Sequence, residues 1–585
     1  LTATYQTVRK SWEAKTDGTY FVSNKLGGDH SLKFGVGWRR NPISTFSHYS
    51  GGARATIQCV GNSSANCGGA YGPAGQAAPG YVARTAVLYR DQLLNNDWWT
   101  YNGYIQDGYS RGRLRLQGGV RYDWQTSKYL GGCVANNPIR PDLLPSQCEA
   151  ATDQSTVLDP NTGLPILGSD GQPIKEQLPS FSVWAPRVSA TYDLMGNGKT
   201  SIHASYSLYY QTKITLANSL GGLFIQPALT WGPNQGSGLC STTAGAPCWQ
   251  DTNVDQFIQA NELIGTPTTN ATGFDPATGI ITPGGNAVSK DAKLARTREF
   301  ITGVQHELIP NLAIGVDYVY RKYDQGTASY LAGYQPGSSQ FPLSQIYVGP
   351  QYYTDPVTGI VAPYYQICQG CIRPPTSTRS VTITNLSYNT YQAVIPTLNK
   401  RFSNRWQMNA SATLQTNPGY NVLGSYTNPT GVQFTDGYSS IARYLIKVSG
   451  TYALPYGVNF SGNLNVIDGA NRTVTVNGPA TAYGGVSATT GANTTISFGN
   501  NPQLTFQPTG STRFQPTKLL DLGAQKVFTF RGGKNRVKVM FDAFNIFNIN
   551  TITSFSSNSL SSANYNAPTA IVPPRVFRIG AQLVF

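Results

Sequence analysis

Charge is scarce in this 585-residue sequence: Asp, Glu, Lys and Arg make up 12%, where soluble globular domains average about 25%. Histidine occurs four times and methionine three. No window approaches the roughly 18 consecutive apolar residues of a transmembrane helix, and the mean hydropathy is −0.26. A helical membrane protein is therefore excluded. Acidic residues are also in deficit, 28 against 43 basic ones, for a net charge of +15. Yet no run of Lys or Arg is longer than two residues. The gathered basic face of a nucleic-acid binder is missing, and no nucleic-acid partner is expected. A dispersed basic surface suits lipid headgroups or polysaccharide better. Hydrophobic residues, by contrast, reach 40% and aromatic ones 11%, with 62 Gly and 35 Tyr. That is enough to bury a large surface, so intrinsic disorder is excluded as well. A large all-β protein remains.

The dominant pattern is period-2 alternation sustained over about 9–13 residues, long for a soluble strand. Between Arg113 and Gln125 one face carries Leu114, Leu116, Gly118, Val120, Tyr122 and Trp124. The other carries Arg113, Arg115, Gln117, Gly119, Arg121, Asp123 and Gln125. The division recurs at Trp406–Gln415 and Val458–Val466, and in further strand-like runs. About 9–11 tilted residues is the length that crosses a bilayer. Tight turns rich in Gly, Pro and Asn occur at 110–112, 196–198, 308–311, 402–405, 454–457 and 531–534. They alternate with long polar segments near 42–80, 127–179, 213–293, 324–386, 416–437, 468–514 and 549–572. Short turns on one side and long loops on the other is how a transmembrane antiparallel outer-membrane β-barrel distributes its connections, with the long loops extracellular. This parity gives about fifteen strands from Thr19 onward, a sixteenth being possible within Leu1–Trp12. Residues 81–109 read as one long or bulged strand. The first residues look like the inside of a strand and carry no signal peptide, which points to a mature or truncated start.

Eight cysteines form four close pairs, Cys59/Cys67, Cys133/Cys148, Cys240/Cys248 and Cys368/Cys371, all within the long segments. Local loop disulfides in an oxidising compartment are the economical reading. Cys368-Gln369-Gly370-Cys371 alone could be a redox or metal pair, but no second pair or nearby His accompanies it. Three copies of a D-P-x-T-G pattern begin at Asp159, Asp275 and Asp355. Each reads as the tip of a minor hairpin, in preference to a calcium site, which would need clustered carboxylates. The last strand ends on an aromatic, with Phe577, Ile579, Ala581, Leu583 and Phe585 on one face. It is similar to the C-terminal sorting strand through which bacterial barrels meet the barrel-assembly machinery.

Several stretches carry a family likeness: Tyr104-Ile105-Gln106-Asp107, Gly119-Val120-Arg121-Tyr122-Asp123, Ala185-Pro186-Arg187-Val188-Ser189, Thr297-Arg298-Glu299-Phe300, Leu398–Asn404 and Phe541–Asn548. Their order and spacing resemble the Oar-like TonB-dependent receptors, from about residue 18 to Phe585. The resemblance implies a barrel of about 22 strands, an internal plug and an N-terminal extension. No plug-like segment or TonB box is legible in the sequence. The whole of 1–585 is therefore expected to be an N-terminally incomplete β-barrel.

No catalytic set is legible. His30 falls in a turn and His48 in a loop, His203 lies on a polar face with Asp193 across its hairpin, and His306 precedes a turn. No HExxH or GxSxG motif occurs, so neither an enzyme nor a cofactor nor a metal is expected. The polar row of Arg113, Arg115, Arg121 and Asp123 is the best functional candidate. In a barrel it faces the lumen, toward plug carboxylates or an anionic solute. The pairs Trp98-Trp99 and Tyr209-Tyr210 suit a membrane interface. The function expected is an outer-membrane TonB-dependent receptor that imports a bulky solute. Its expected partners are lipids and lipopolysaccharide, the TonB system through a plug, and proteins at the loops. A scaffold or adhesin using disulfide-pinned loops is the alternative.

Overall fold

A computed structural model describes residues 3–585, apart from Leu26 and positions within 60–80, 160–164, 213–219, 233–244, 254, 270–273, 282–291, 332–346, 368–379, 385–386, 422–431, 479–502 and 531–534. One antiparallel sheet of eighteen strand segments dominates it. Three of the segments continue a neighbour across a short interruption, so the wall has fifteen strands among the described residues. They are β1 (Thr4–Arg9 with Trp12–Lys25), β2 (Gly28–Arg40 with Ile43–His48), β3 (Gln92–Arg111), β4 (Leu114–Tyr129) and β5 (Phe181–Asp193). Next come β6 (Thr200–Tyr210), β7 (Arg296–Ile309), β8 (Leu312–Asp324), β9 (Ser387–Ser403) and β10 (Trp406–Thr416 with Gly419–Asn421). The last are β11 (Tyr444–Leu454), β12 (Val458–Ile467), β13 (Thr517–Phe530), β14 (Asn535–Phe544) and β15 (Val576–Val584). Each strand pairs with the next in chain order. Among the described residues β1 pairs only with β2, and β15 only with β14.

The region within Leu1–Trp12 is thus not a sixteenth strand. Thr4–Arg9 pairs with Ile43–His48 in line with the Trp12–Arg40 register, which makes it the first part of β1. Residues 81–109 also differ from a single strand. The chain breaks at Arg90-Asp91, and Tyr81–Tyr89 joins a separate four-stranded sheet among the loops, while Gln92 starts β3. His30 lies within β2, not in a turn.

Cross-strand register sorts the wall's side chains into two faces, because successive residues of a strand point to opposite sides. Phe34, Ile105, Val120 and Pro186 are opposite one another along β2, β3, β4 and β5. Leu116 is 40% exposed, Val188 54% and Trp184 61%. An apolar face this exposed over a whole sheet needs lipid, not water. Its rings cluster, with Tyr122 4.8 Å from Trp184 and Tyr101 5.5 Å from Trp124, as in an interfacial aromatic girdle.

The long connections form a folded crown with its own cores. Ala86, Leu88, Leu144, Leu229, Trp231 and Trp249 make one, drawn from three separate loops. A second packs Ala217, Leu220, Val288, Ala292 and Leu294 against Phe181 and Val183. Val183 shares a face with Asp123, its register partner, so these loop segments fold inward over the polar side of the wall. Among the described residues, Cys133–Cys148 and Cys240–Cys248 are disulfide-bonded. The first joins register partners of a small hairpin, so Cys133 and Cys148 sit in short loop strands. Cys67, Cys368 and Cys371 lie outside the described residues, so the pairs Cys59/Cys67 and Cys368/Cys371 do too.

Candidate functional site at the polar wall and mouth

The polar face of β1 to β5 is densely charged. Arg39 Nη2 lies 2.7 Å from Glu13 Oε2 across β1 and β2. Arg121 grips the carboxylate of Asp123, two residues along the same face, with Nε and Nη2 both at 2.8 Å from one or other oxygen. These pairs line a cavity of about 390 Å³ together with Lys15 and Asp17. Three cations meet three carboxylates there, so the wall presents balanced charge and not the anion trap that an arginine row suggests. The four candidate residues are also not one cluster. Arg113 lies outside the strands, beside the turn at Gly196. A Cβ on Gly196 would stand 2.2 Å from the Arg113 guanidinium carbon, so the glycine makes room for it. Arg115 stands opposite Ser110 and Thr191, away from the Arg121–Asp123 pair.

Farther round the wall, His203 Nε2 lies 3.1 Å from Asp317 Oδ1. The two are on β6 and β8, with Gly303 of β7 between them in register. A Cβ at Gly303 would sit 2.1 Å from Asp317 Oδ1, so the pair exists only because the intervening strand has no side chain at that position. Asp193, the partner expected from sequence, instead accepts from the backbone N–H of Gly196 and Gly198 (2.9 and 2.8 Å) and closes the β5–β6 turn. Arg321 and Glu299 form a further pair on the same face. The other histidines are dispersed. His30 Nδ1 is 2.7 Å from Asp107 Oδ2, His48 Nδ1 is 2.8 Å from Asp91 Oδ1, and His306 Nδ1 is 2.8 Å from Thr200 Oγ1.

Above the wall, Arg90 marks the point where the chain passes from the crown into β3. It is 2% exposed. Its Nη1 donates to the carbonyls of Pro145 and Gly279, both at 2.9 Å, and its Nη2 to Gln147 Oε1 at 2.6 Å. Gln147 in turn exchanges hydrogen bonds with the backbone of Ile281 and donates to Glu149. Glu149 accepts from the Tyr129 hydroxyl at 2.7 Å and from the Gly222 N–H. One guanidinium thus ties together three loops that are far apart in sequence. Burial pulls its pKa below the ordinary arginine range, against the pull of Glu149. Nothing in the local sequence around Arg90 signals this role.

The D-P-x-T-G copies at Asp275 and Asp355 are hairpin tips. Asp275 accepts from the Ala277 N–H and the Thr278 hydroxyl (2.9 and 2.8 Å), which hold its carboxyl below the usual carboxylate range. The tip that begins at Asp159 runs outside the described residues. A loop that the D-P-x-T-G reading passes over is Asp251-x-Asn253-x-Asp255 with Glu262, whose spacing matches a calcium loop. Here Asp251 accepts from the Asp255 and Gln256 amides and Glu262 from the Thr252 amide, so these carboxylates staple their own loop. Among the described residues no group of three or more His, Cys, Asp or Glu is arranged to hold a metal.

On the other side of the crown, Asp468 follows β12 and is buried at its side chain. Arg443 Nε donates to it at 2.8 Å and Arg513 lies at 3.4 Å. The Arg443 hydrogen bonds pull its pKa down to about 2. A carboxyl depressed in the folded state stabilises above its unfolded pKa, near 3.9, and stops doing so as pH falls through the folded value. Hydrogen-exchange protection at 468–472 should therefore persist at pH 5 and fall between about pH 4 and pH 2. In Asp468→Asn the protection should already be reduced at pH 7. A pH-independent wild type would contradict the assignment.

Comparison with known proteins fits this geometry. A family model described as an outer membrane beta barrel domain matches residues 21–512. The TonB-dependent transporter Oar of Myxococcus xanthus is 24% identical over 330 residues, covering 53% of this chain and 25% of that protein. The chain thus spans about a quarter of the length of that curated relative. Among solved structures, the ferric-catecholate import receptor Fiu of Escherichia coli K12 superposes with a TM-score of 0.44 at 10% identity, over 99% of this chain and 55% of that one. The siderophore receptor PiuA of Acinetobacter baumannii gives 0.45 at 9% identity, over 99% and 56%. With a membrane-facing apolar wall, a polar opposite face and a family match over most of its length, this bacterial outer-membrane protein belongs to the outer membrane beta barrel domain family.

Proposed function

We propose that the chain forms the membrane wall and extracellular crown of a TonB-dependent receptor that takes up a bulky solute. The observation that carries this reading is the charge-balanced polar wall lying directly under an ordered crown. A folded crown lowers the ordering cost of capturing a solute, and a wall of paired charges offers a passage without a single deep electrostatic trap. Kinship with the Oar transporter supports it. A lipid bilayer does not tolerate open sheet edges, and β1 and β15 each have one partner among the described residues. In this reading the wall is completed by strands, and the lumen by a plug, lying outside these fifteen strands.

On the outer face, Arg40 stands between Trp12 and Trp99, 5.7 Å from each ring. Its guanidinium is held by Asp97 at 2.7 and 2.8 Å, and the flanking rings suit the headgroup boundary. Phe577, Ile579, Leu583 and Phe585 form an exposed row on β15 and its end, the surface offered to the barrel-assembly machinery. Site-specific cross-linking of the intact gene product to TonB in cells tests the transport reading. A TonB adduct that increases when solute is present is expected. Absence of any adduct, with the crown still binding partner proteins, would replace transport by the scaffold alternative.

A further inference from the structure

A second cavity, of about 750 Å³, lies at the extracellular ends of β6 to β10. Its lining differs from the charged wall. Tyr209, Tyr323, Tyr388 and Tyr420 all contribute to it. Tyr388 and Tyr420 are register partners whose rings stack with centroids 4.9 Å apart, on the face opposite to Tyr323 and its register partner Asn389. Arg187 covers the Tyr209 ring at 4.7 Å, whereas Tyr323 is 40% exposed and stands in register with Asn389, so its ring is available to a ligand.

Two polar atoms of this lining lack partners. Asn389 Oδ1 and Asn417 Oδ1 are buried acceptors with no hydrogen-bond partner among the described residues. Orphaned buried acceptors are rare in native proteins, and no described residue supplies these two with a donor. The cationic lining is, by contrast, already committed. Arg296 Nε and Nη2 hold the two oxygens of Asp324 at 2.8 and 3.0 Å, and Arg298 adds a contact at 2.6 Å.

We infer that this cavity binds a neutral oligosaccharide, a reading that rests on the long loops facing outside. Saturated sugar rings present C–H faces to aromatic rings, whose negative π-faces attract them. Sugar hydroxyls supply the donors that Asn389 and Asn417 lack. An anionic ligand would find its natural partner, Arg296, occupied by Asp324, and a purely apolar one would leave both amide oxygens unpaired. Tyrosine is also a low-entropy anchor, with two side-chain torsions to fix. The volume falls in the range of small-molecule sites, about 300–1,000 Å³.

The test uses the full-length protein purified in detergent, with maltohexaose, cellohexaose and xylohexaose as probes and tetragalacturonate as the anionic contrast. At least one neutral hexaose should bind with a Kd below about 1 mM. Tyr323→Ala and Asn417→Leu should each weaken it about tenfold or more, with Tyr323→Phe retaining most of the affinity. Hydrogen exchange on the unaltered protein provides a readout that needs no variant: the bound hexaose should slow exchange at 417–420. Failure of all three hexaoses at about 10 mM, preference for tetragalacturonate, or unchanged binding in both variants would overturn the inference. No TonB enters this assay, so its failure leaves the transport reading standing, and a missing TonB adduct leaves sugar binding standing.

Discussion

Val120→Arg should remove the protein from the folded outer-membrane fraction, while Gln117→Glu should leave it there. Val120 sits in register between Ile105 of β3 and Pro186 of β5. Phe34, Val36 and Trp184 line the same outer groove. A guanidinium there must enter hydrocarbon, at a cost of about 2–4 kcal/mol near the bilayer midplane, a large share of the total stability of a protein domain. Leu116→Arg should behave alike. Gln117 stands on the opposite face, across from Gly108 and Ser189, where an added carboxylate meets water. Heat-modifiable migration of the membrane fraction reads the difference. Equal tolerance of Val120→Arg and Gln117→Glu would mean that the two faces are wrongly assigned.

Arg90→Met should leave the wall intact and open the crown. The substitution keeps much of the apolar stem but deletes the donors that serve the Pro145 and Gly279 carbonyls and Gln147. Each buried acceptor left without a donor costs about 1–3 kcal/mol; the Pro145 and Gly279 carbonyls lose theirs at one point, while Gln147 Oε1 keeps only the Ile281 N–H. The loops at 130–179 and 211–295 should then become sensitive to added protease on intact cells, with unchanged heat-modifiable migration of the uncut barrel. Arg90→Lys should give an intermediate result, because an ammonium is a single point charge and cannot span the guanidinium's fork. Cleavage maps identical to the unaltered protein would show that the disulfides and apolar cores hold the crown without Arg90.

The wall was legible in the sequence because its cause is local. Alternation at period two between Arg113 and Gln125 states which side chains meet lipid, and turns such as Gly196-Asn197-Gly198 state where the chain reverses. The sidedness of turns and loops then sets the strand count. What was not legible depends on residues distant in sequence. His203 pairs with Asp317 two strands away because Gly303 leaves the gap, and no spacing within a hairpin reveals that. Arg121 is neutralised by Asp123 two residues on, a choice of rotamer that alternation does not encode. The loops looked like polar connections because their apolar residues are too sparse within any one of them. Only when Leu144, Trp231 and Trp249 come together from separate segments does a core exist. Tyr81–Tyr89 illustrates the same limit: its pattern continues that of β3, but its partners belong to the crown.

Fifteen alternating strands is an odd number, so β1 and β15 travel in the same direction. Zipped directly to each other, they would form a parallel seam in an otherwise antiparallel cylinder. An antiparallel seal takes an odd complement of extra strands, one or any larger odd number, and every even complement leaves the mismatch in place.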